Sequence, residues 1–205
     1  MIGIQRILDM SMCCLWILTY TIALIGTIRY KYPLISPISQ MITASFEFSV
    51  VYFFMICGSL ELNYASFAYV YWSVIEVAII YVMIRCNYIP KERVKVYLVF
   101  LSILTCVMCY LVGHQKQMFF FSYFNTFIGE LIWLYHICKK DYPMKPLSLL
   151  AFMTKFIADI VAIPVYFGTS PGLIDVICIT LPILDFIFII CFFIKRKNMS
   201  KIGKN

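Results

Sequence analysis

Seven stretches of about 20 apolar residues follow one another along the chain, each closed by proline, glycine or a knot of basic residues. They fall at approximately 9–28, 36–57, 67–86, 96–113, 118–138, 147–167 and 173–194. A helix rises about 1.5 Å per residue, so some 20 residues match the roughly 30 Å hydrocarbon core of a bilayer. Backbone amides find no water in that core, and a helix satisfies them within one segment. The pattern predicts an all-α integral membrane protein, a seven-transmembrane-helix bundle. At 205 residues there is no room for a soluble domain besides, so residues 1–205 are expected to form a single membrane domain.

Composition agrees with that reading. Charged residues are 13% of the chain, against about 25% in soluble domains, and hydrophobic residues are 63%. The opening MIGIQRILDM lacks the charged start and small-residue cleavage site of a signal peptide, so the first apolar segment is expected to stay in the membrane. The net charge of +7 does not point to nucleic acid, because the basic residues are sorted by side. Fourteen of the 17 Lys and Arg follow the first, third, fifth and seventh runs, from Arg29 and Lys31 to Lys195, Arg196 and Lys197. Only Arg6 and Lys116 lie on the opposite side, and Lys155 lies inside the sixth run. Basic loops stay cytoplasmic, so the N-terminus is expected outside and the C-terminus in the cytoplasm.

Polar groups at mid-membrane depth are Glu47, Glu76, Glu130, Lys155, Asp159 and Asp185. An ionised side chain at a helix centre costs a few kcal/mol or more, so such residues are paired, hydrated or neutral. Lys155 and Asp159 stand four apart on one helical face and are expected to form an ion pair. Glu47, Glu76, Glu130 and Asp185 have no partner along their own helices, and low dielectric favours their neutral, proton-donating form. Spacing alone does not separate the four. Tyr30, Tyr32, Tyr88 and Tyr142 suit a cytoplasmic-side aromatic belt, and Tyr64 and Tyr166 an outer one. Tyr20, Tyr52, Tyr81 and Phe156 are expected to lie deeper. His136 is expected to face headgroups, and His114 to sit at the outer end of the fourth helix. The nine cysteines show no metal-ligand spacing, and those in apolar runs (Cys13, Cys57, Cys106, Cys109, Cys178 and Cys191) read as buried small hydrophobes. No nucleophile elbow, phosphate-binding loop, aspartate-rich metal motif or HExxH occurs.

Trp16 and Tyr20 in the first helix, Glu47 in the second, Gly113-His114, Lys155-Phe156, and Asp185 ten residues before Lys195-Arg196-Lys197 form an ordered set. In this order and spacing the chain resembles the small membrane-bound terpene cyclases of fungal meroterpenoid and indole-diterpene pathways and their bacterial relatives. The resemblance runs from about Leu8 to Lys197. Its two key acids fall on Glu47 and Asp185. Phe46, Thr43 and Val50 stand where that family usually has Trp, Asn and Tyr, and Lys155 where it usually has Arg.

The resemblance implies an enzyme that protonates a terminal epoxide or alkene of a linear isoprenoid or prenylated substrate and guides carbocation cyclisation. Glu47 and Asp185 would be the acid pair; Tyr20, Phe46, Tyr52, Glu76, His114, Glu130, Lys155 and Phe156 would line the substrate and cation path. Neither metal nor cofactor is expected, since no diphosphate has to leave. The partners would be the lipophilic isoprenoid, membrane lipid and an associated prenyltransferase or epoxidase. The location would be the plasma membrane in a bacterium or the endoplasmic reticulum in a fungus. From the residues alone, a second reading is a small proton-coupled transporter, because intramembrane acids often couple protons to transport.

Overall fold

The computed structural model describes residues 2–56, 64–113, 118–139, 142, 144–167 and 172–202. Seven α-helices make up the described fold: α1 (Ile2–Tyr30), α2 (Pro37–Val51), α3 (Tyr64–Arg85), α4 (Val94–Val112), α5 (Met118–Cys138), α6 (Pro146–Tyr166) and α7 (Gly172–Ile202). A π-helical turn, Tyr52–Ile56, follows α2, and a 3-10 turn, Lys91–Arg93, precedes α4. Five of these helical stretches are long and apolar enough to cross a membrane, the architecture of an integral membrane protein.

Local chemistry sets the ends. Ser36 caps α2, its Oγ accepting from the Ser39 amide at 3.0 Å, and Pro37 supplies a preset first helical residue. Asn87, with φ 60°, turns the chain left-handed after α3, a conformation asparagine tolerates. Lys31 does the same after α1 at φ 49°. Pro164 and Pro182 lie inside α6 and α7, where each removes a helical donor.

Six helices pack side by side into a closed ring in the order α1–α6–α7–α5–α2–α3 and back to α1. α4 stands outside it, packed mainly on α2, with Val96, Val99, Phe100, Ile103 and Tyr110 turned outward. α2 touches α3, α4 and α5, so little of it meets lipid. That explains its sequence: Ser39, Gln40, Ser45 and Ser49 are all buried. Small residues bring α2 close to α5, where Ser39 Oγ donates to the Gly129 carbonyl at 2.9 Å and Asn125 Nδ2 to that of Ile42 at 3.1 Å.

The segment between α1 and α2 folds inward and closes the end of the ring that carries the basic loops. Leu34 is fully buried, and its carbonyl accepts from Trp133 Nε1 at 2.5 Å and Tyr142 Oη at 3.2 Å. His136 Nε2 meets the Pro33 carbonyl at 3.0 Å, and its ring stacks on Tyr32. His136 and Tyr142 are therefore buried here rather than facing headgroups, because the inturned carbonyls need donors that lipid cannot supply. Of the cysteines expected inside, Cys13 and Cys178 are buried, whereas Cys106 is exposed on the outer surface of α4. Cys57 lies outside the described residues.

Candidate functional site

The polar residues of the interior fall into two groups. In the first, α5, α6 and α7 converge on the ammonium of Lys155. It bonds Asp159 Oδ2 at 2.6 Å and both Asp185 oxygens at 3.0 and 3.1 Å, and it pairs with Glu130. All four side chains are buried. The expected Lys155–Asp159 pair is present, and two further carboxylates join it. Trp16 of α1 adds its ring face, 5.0 Å from the ammonium. One oxygen each from Glu130, Asp159 and Asp185 lies within 4.8 Å of the others, a spacing that suits a metal ion. The Lys155 ammonium already supplies a positive charge to all three, so a metal would compete with it.

Three carboxylates and one ammonium carry a charge of −2 when all are ionised. At low dielectric such an excess is severely disfavoured.

The second group lies across the ring, on α2 and α3. Glu76 is 0% exposed and neither of its carboxyl oxygens receives a hydrogen bond; Glu47 Oε2 is likewise buried and without a partner. The two carboxyls are near enough to act on one another electrostatically. Glu47 lines a cavity of about 80 Å³ walled by Met12, Trp16, Tyr20, Phe46, Tyr69, Trp72, Tyr123 and Tyr166, with Thr43, Ser122, Asn125, Thr126 and Asp159 as polar contributors. Most of these lie near the starts of α1, α3 and α5 and the end of α6, so the cavity occupies the half of the ring opposite the basic loops. A second, smaller cavity, shared among Trp16, Tyr20, Thr43, Thr126, Glu130 and Lys155, lies beside it, so Tyr20 borders both groups of acids.

The residues expected at a site are thus divided. Glu47, Tyr20 and Phe46 share the aromatic cavity. Lys155, Glu130 and Asp185 form the cluster with Asp159, and Glu76, fully buried on α3, acts electrostatically on Glu47. Glu47 and Asp185 do not pair: Asp185 is held by Lys155, and Asp159 is the cluster member that reaches the cavity wall. Tyr52 is 41% exposed and lines an outer apolar groove with Met55 and Cys106, because the π-helical turn carries it to the α4 side. Tyr81 is exposed as well, and Phe156 packs against Phe186 on the α6–α7 surface, 6.1 Å between ring centres. Tyr166 lines the cavity instead of an outer belt, its Oη donating to Asp9 Oδ1 at 3.1 Å. His114 lies outside the described residues.

Several cavity residues were not singled out from the sequence as lining residues: Met12, Trp16, Tyr69, Trp72, Tyr123, Asp159 and Tyr166. A usable signal was helical spacing. Met12, Trp16 and Tyr20 recur every four residues, and Tyr69, Trp72 and Glu76 follow the same stripe on α3. Comparison of the chain with models of protein families, with characterised proteins and with solved structures gives no match.

Proposed function

We propose that the protein is a membrane-embedded terpene cyclase in which Glu47 protonates a terminal epoxide or alkene of a linear isoprenoid or prenylated substrate. The observation that carries this reading is the position of Glu47: a carboxyl with an unpartnered oxygen in the wall of a cavity rich in aromatic faces. A neutral carboxyl in a dry site is a proton donor. A carbocation formed there is attracted by Trp16, Tyr20, Phe46, Tyr69 and Trp72, each face being worth roughly 0.5–2 kcal/mol. Deprotonation of the cyclised cation returns the proton, so the reaction is an isomerisation and calls on no metal or cofactor. The cavity is smaller than the roughly 300 Å³ of the smallest usual ligand sites, so loading has to spread the helices around it.

In this reading the N-terminus is outside and the basic C-terminus cytoplasmic, from the side bias of the Lys and Arg residues. The cavity then faces the outer half of the membrane, and a lipophilic substrate enters from the bilayer. The compartment is the plasma membrane or the endoplasmic reticulum, according to the cell that makes the protein. A prenyltransferase or epoxidase in the same membrane would supply the substrate.

The test is product analysis by mass spectrometry on membranes given linear farnesyl-type substrates with and without a terminal epoxide. The expected result is a cyclic isomer of unchanged mass from the wild type, lost in Glu47→Gln at equal expression. Full turnover by Glu47→Gln would overturn the assignment. The cluster of three buried carboxylates on Lys155 favours one other reading, a proton-coupled carrier. Its mark would be uptake into vesicles driven by a pH gradient and abolished by Asp185→Asn.

A further inference from the structure

We propose that Glu76 is the second acid of the site, a positioning residue that acts through Glu47. It holds a proton at the α2–α3 interface and shares it with Glu47 once Glu47 has donated to the substrate. The proposal rests on the reading of Glu47 as donor.

Geometry places the two acids opposite one another. Phe46 of α2 meets Tyr69 of α3 edge-on at 6.3 Å, and Ala44 packs with Ile80, so the stretch of α3 that carries Glu76 lies against the stretch of α2 around Glu47. Both Glu76 oxygens are buried without a hydrogen-bond partner among the described residues, so an ionised Glu76 would hold its charge with nothing donating to it.

Among the described residues no cation balances the pair: the titratable groups acting on it are Cys13 and Tyr20 of α1, Tyr69 of α3 and Tyr97 of α4, none of them basic. Lys155 is engaged by its own three carboxylates. Glu47 and Glu76 therefore rest with two protons between them. When the Glu47 O–H bond breaks and the substrate gains that proton, the pair keeps one proton and one negative charge. Sharing the remaining proton spreads the charge and makes Glu47 a stronger acid. Tyr20, which lines the cavity with Glu47 and lies within electrostatic reach of both carboxyls, is the route between them in this proposal. Loss of a C–H proton from the cyclised cation to the pair restores two protons, so atoms and charge balance with no other reactant.

Infrared difference spectroscopy on the protein in lipid vesicles at neutral pH reads the pair directly through the carbonyl stretch of protonated carboxyl groups, with deuterium exchange to identify it. Wild type minus Glu47→Gln assigns the Glu47 band. Wild type minus Glu76→Gln is expected to show a second protonated band lost and the Glu47 band displaced. Loss of a carboxylate band instead, or an unmoved Glu47 band, would overturn the proposal. In turnover, Glu76→Gln is expected to lower kcat by at least about tenfold with KM unchanged, and Glu76→Asp to recover part of it. Unchanged kcat in Glu76→Gln would also overturn it. A coupled pair of bands together with full turnover in Glu47→Gln would remove Glu47 as the proton donor and leave the acid pair standing. If the pair acts through Tyr20, Tyr20→Phe uncouples the bands and keeps both; bands that stay coupled in Tyr20→Phe overturn the route.

Discussion

Replacing Lys155 by methionine keeps the bulk of the side chain and removes the positive charge that Glu130, Asp159 and Asp185 share. Breaking a buried ion pair from one side costs about 3–5 kcal/mol, so Lys155→Met is expected to lower the unfolding midpoint in detergent more than any single acid-to-amide change in the cluster. Asp185→Asn should be milder, because the ammonium keeps two carboxylates. In cyclisation, Glu47→Gln should abolish product while Asp185→Asn retains part of it, since only Glu47 of these two lines the cavity. The contact between Lys155 and Asp159 was legible from a spacing of four. The contacts to Glu130 and Asp185 were not, because which helix faces which depends on rotation and ring order, and single-helix periodicity carries neither. The pairing of Glu47 with Asp185 came from the resemblance rather than from spacing; in the fold Glu47 lines the cavity and Asp185 bonds Lys155.

Among the elements, α2 depends most on fine fit. A Cβ on Gly26 of α1 would stand 2.3 Å from Leu34 Cδ1 and 3.2 Å from its Cγ, and Leu34 is fully enclosed. Gly26→Ala should therefore push the segment leading into α2 and cost about 1–3 kcal/mol, seen as a lower unfolding midpoint. Ser36→Ala removes the cap of the same helix and should cost about 1 kcal/mol. Apolar runs located all seven helices, and the fifth run coincides with Met118–Cys138. They gave α1 and α7 too little length, since Ile2–Tyr30 and Gly172–Ile202 continue past the apolar stretch on polar residues that a helix accepts outside the core. The π-helical turn left no signature in the sequence, and it is what turns Tyr52 away from the site.

For the molecule as a whole, the orientation in the membrane is directly testable. Cys86 is exposed just beyond α3, beside Arg85. In a variant retaining Cys86 as its one cysteine, a membrane-impermeant maleimide should label it only after the membrane is opened. Labelling of intact cells or sealed right-side-out vesicles would reverse the topology. The ring has a consequence for how the protein is made. Its closure from α5 round to α1 runs through α7 and α6, which are made after the other five. Until they arrive, Glu130 waits in the bilayer without Lys155, and α1 lacks the neighbour against which most of its length packs. Chains halted after α5 are open assemblies with a carboxyl awaiting its counter-ion, the state that membrane quality control removes. Synthesis of the seventh helix is the step that closes the ring.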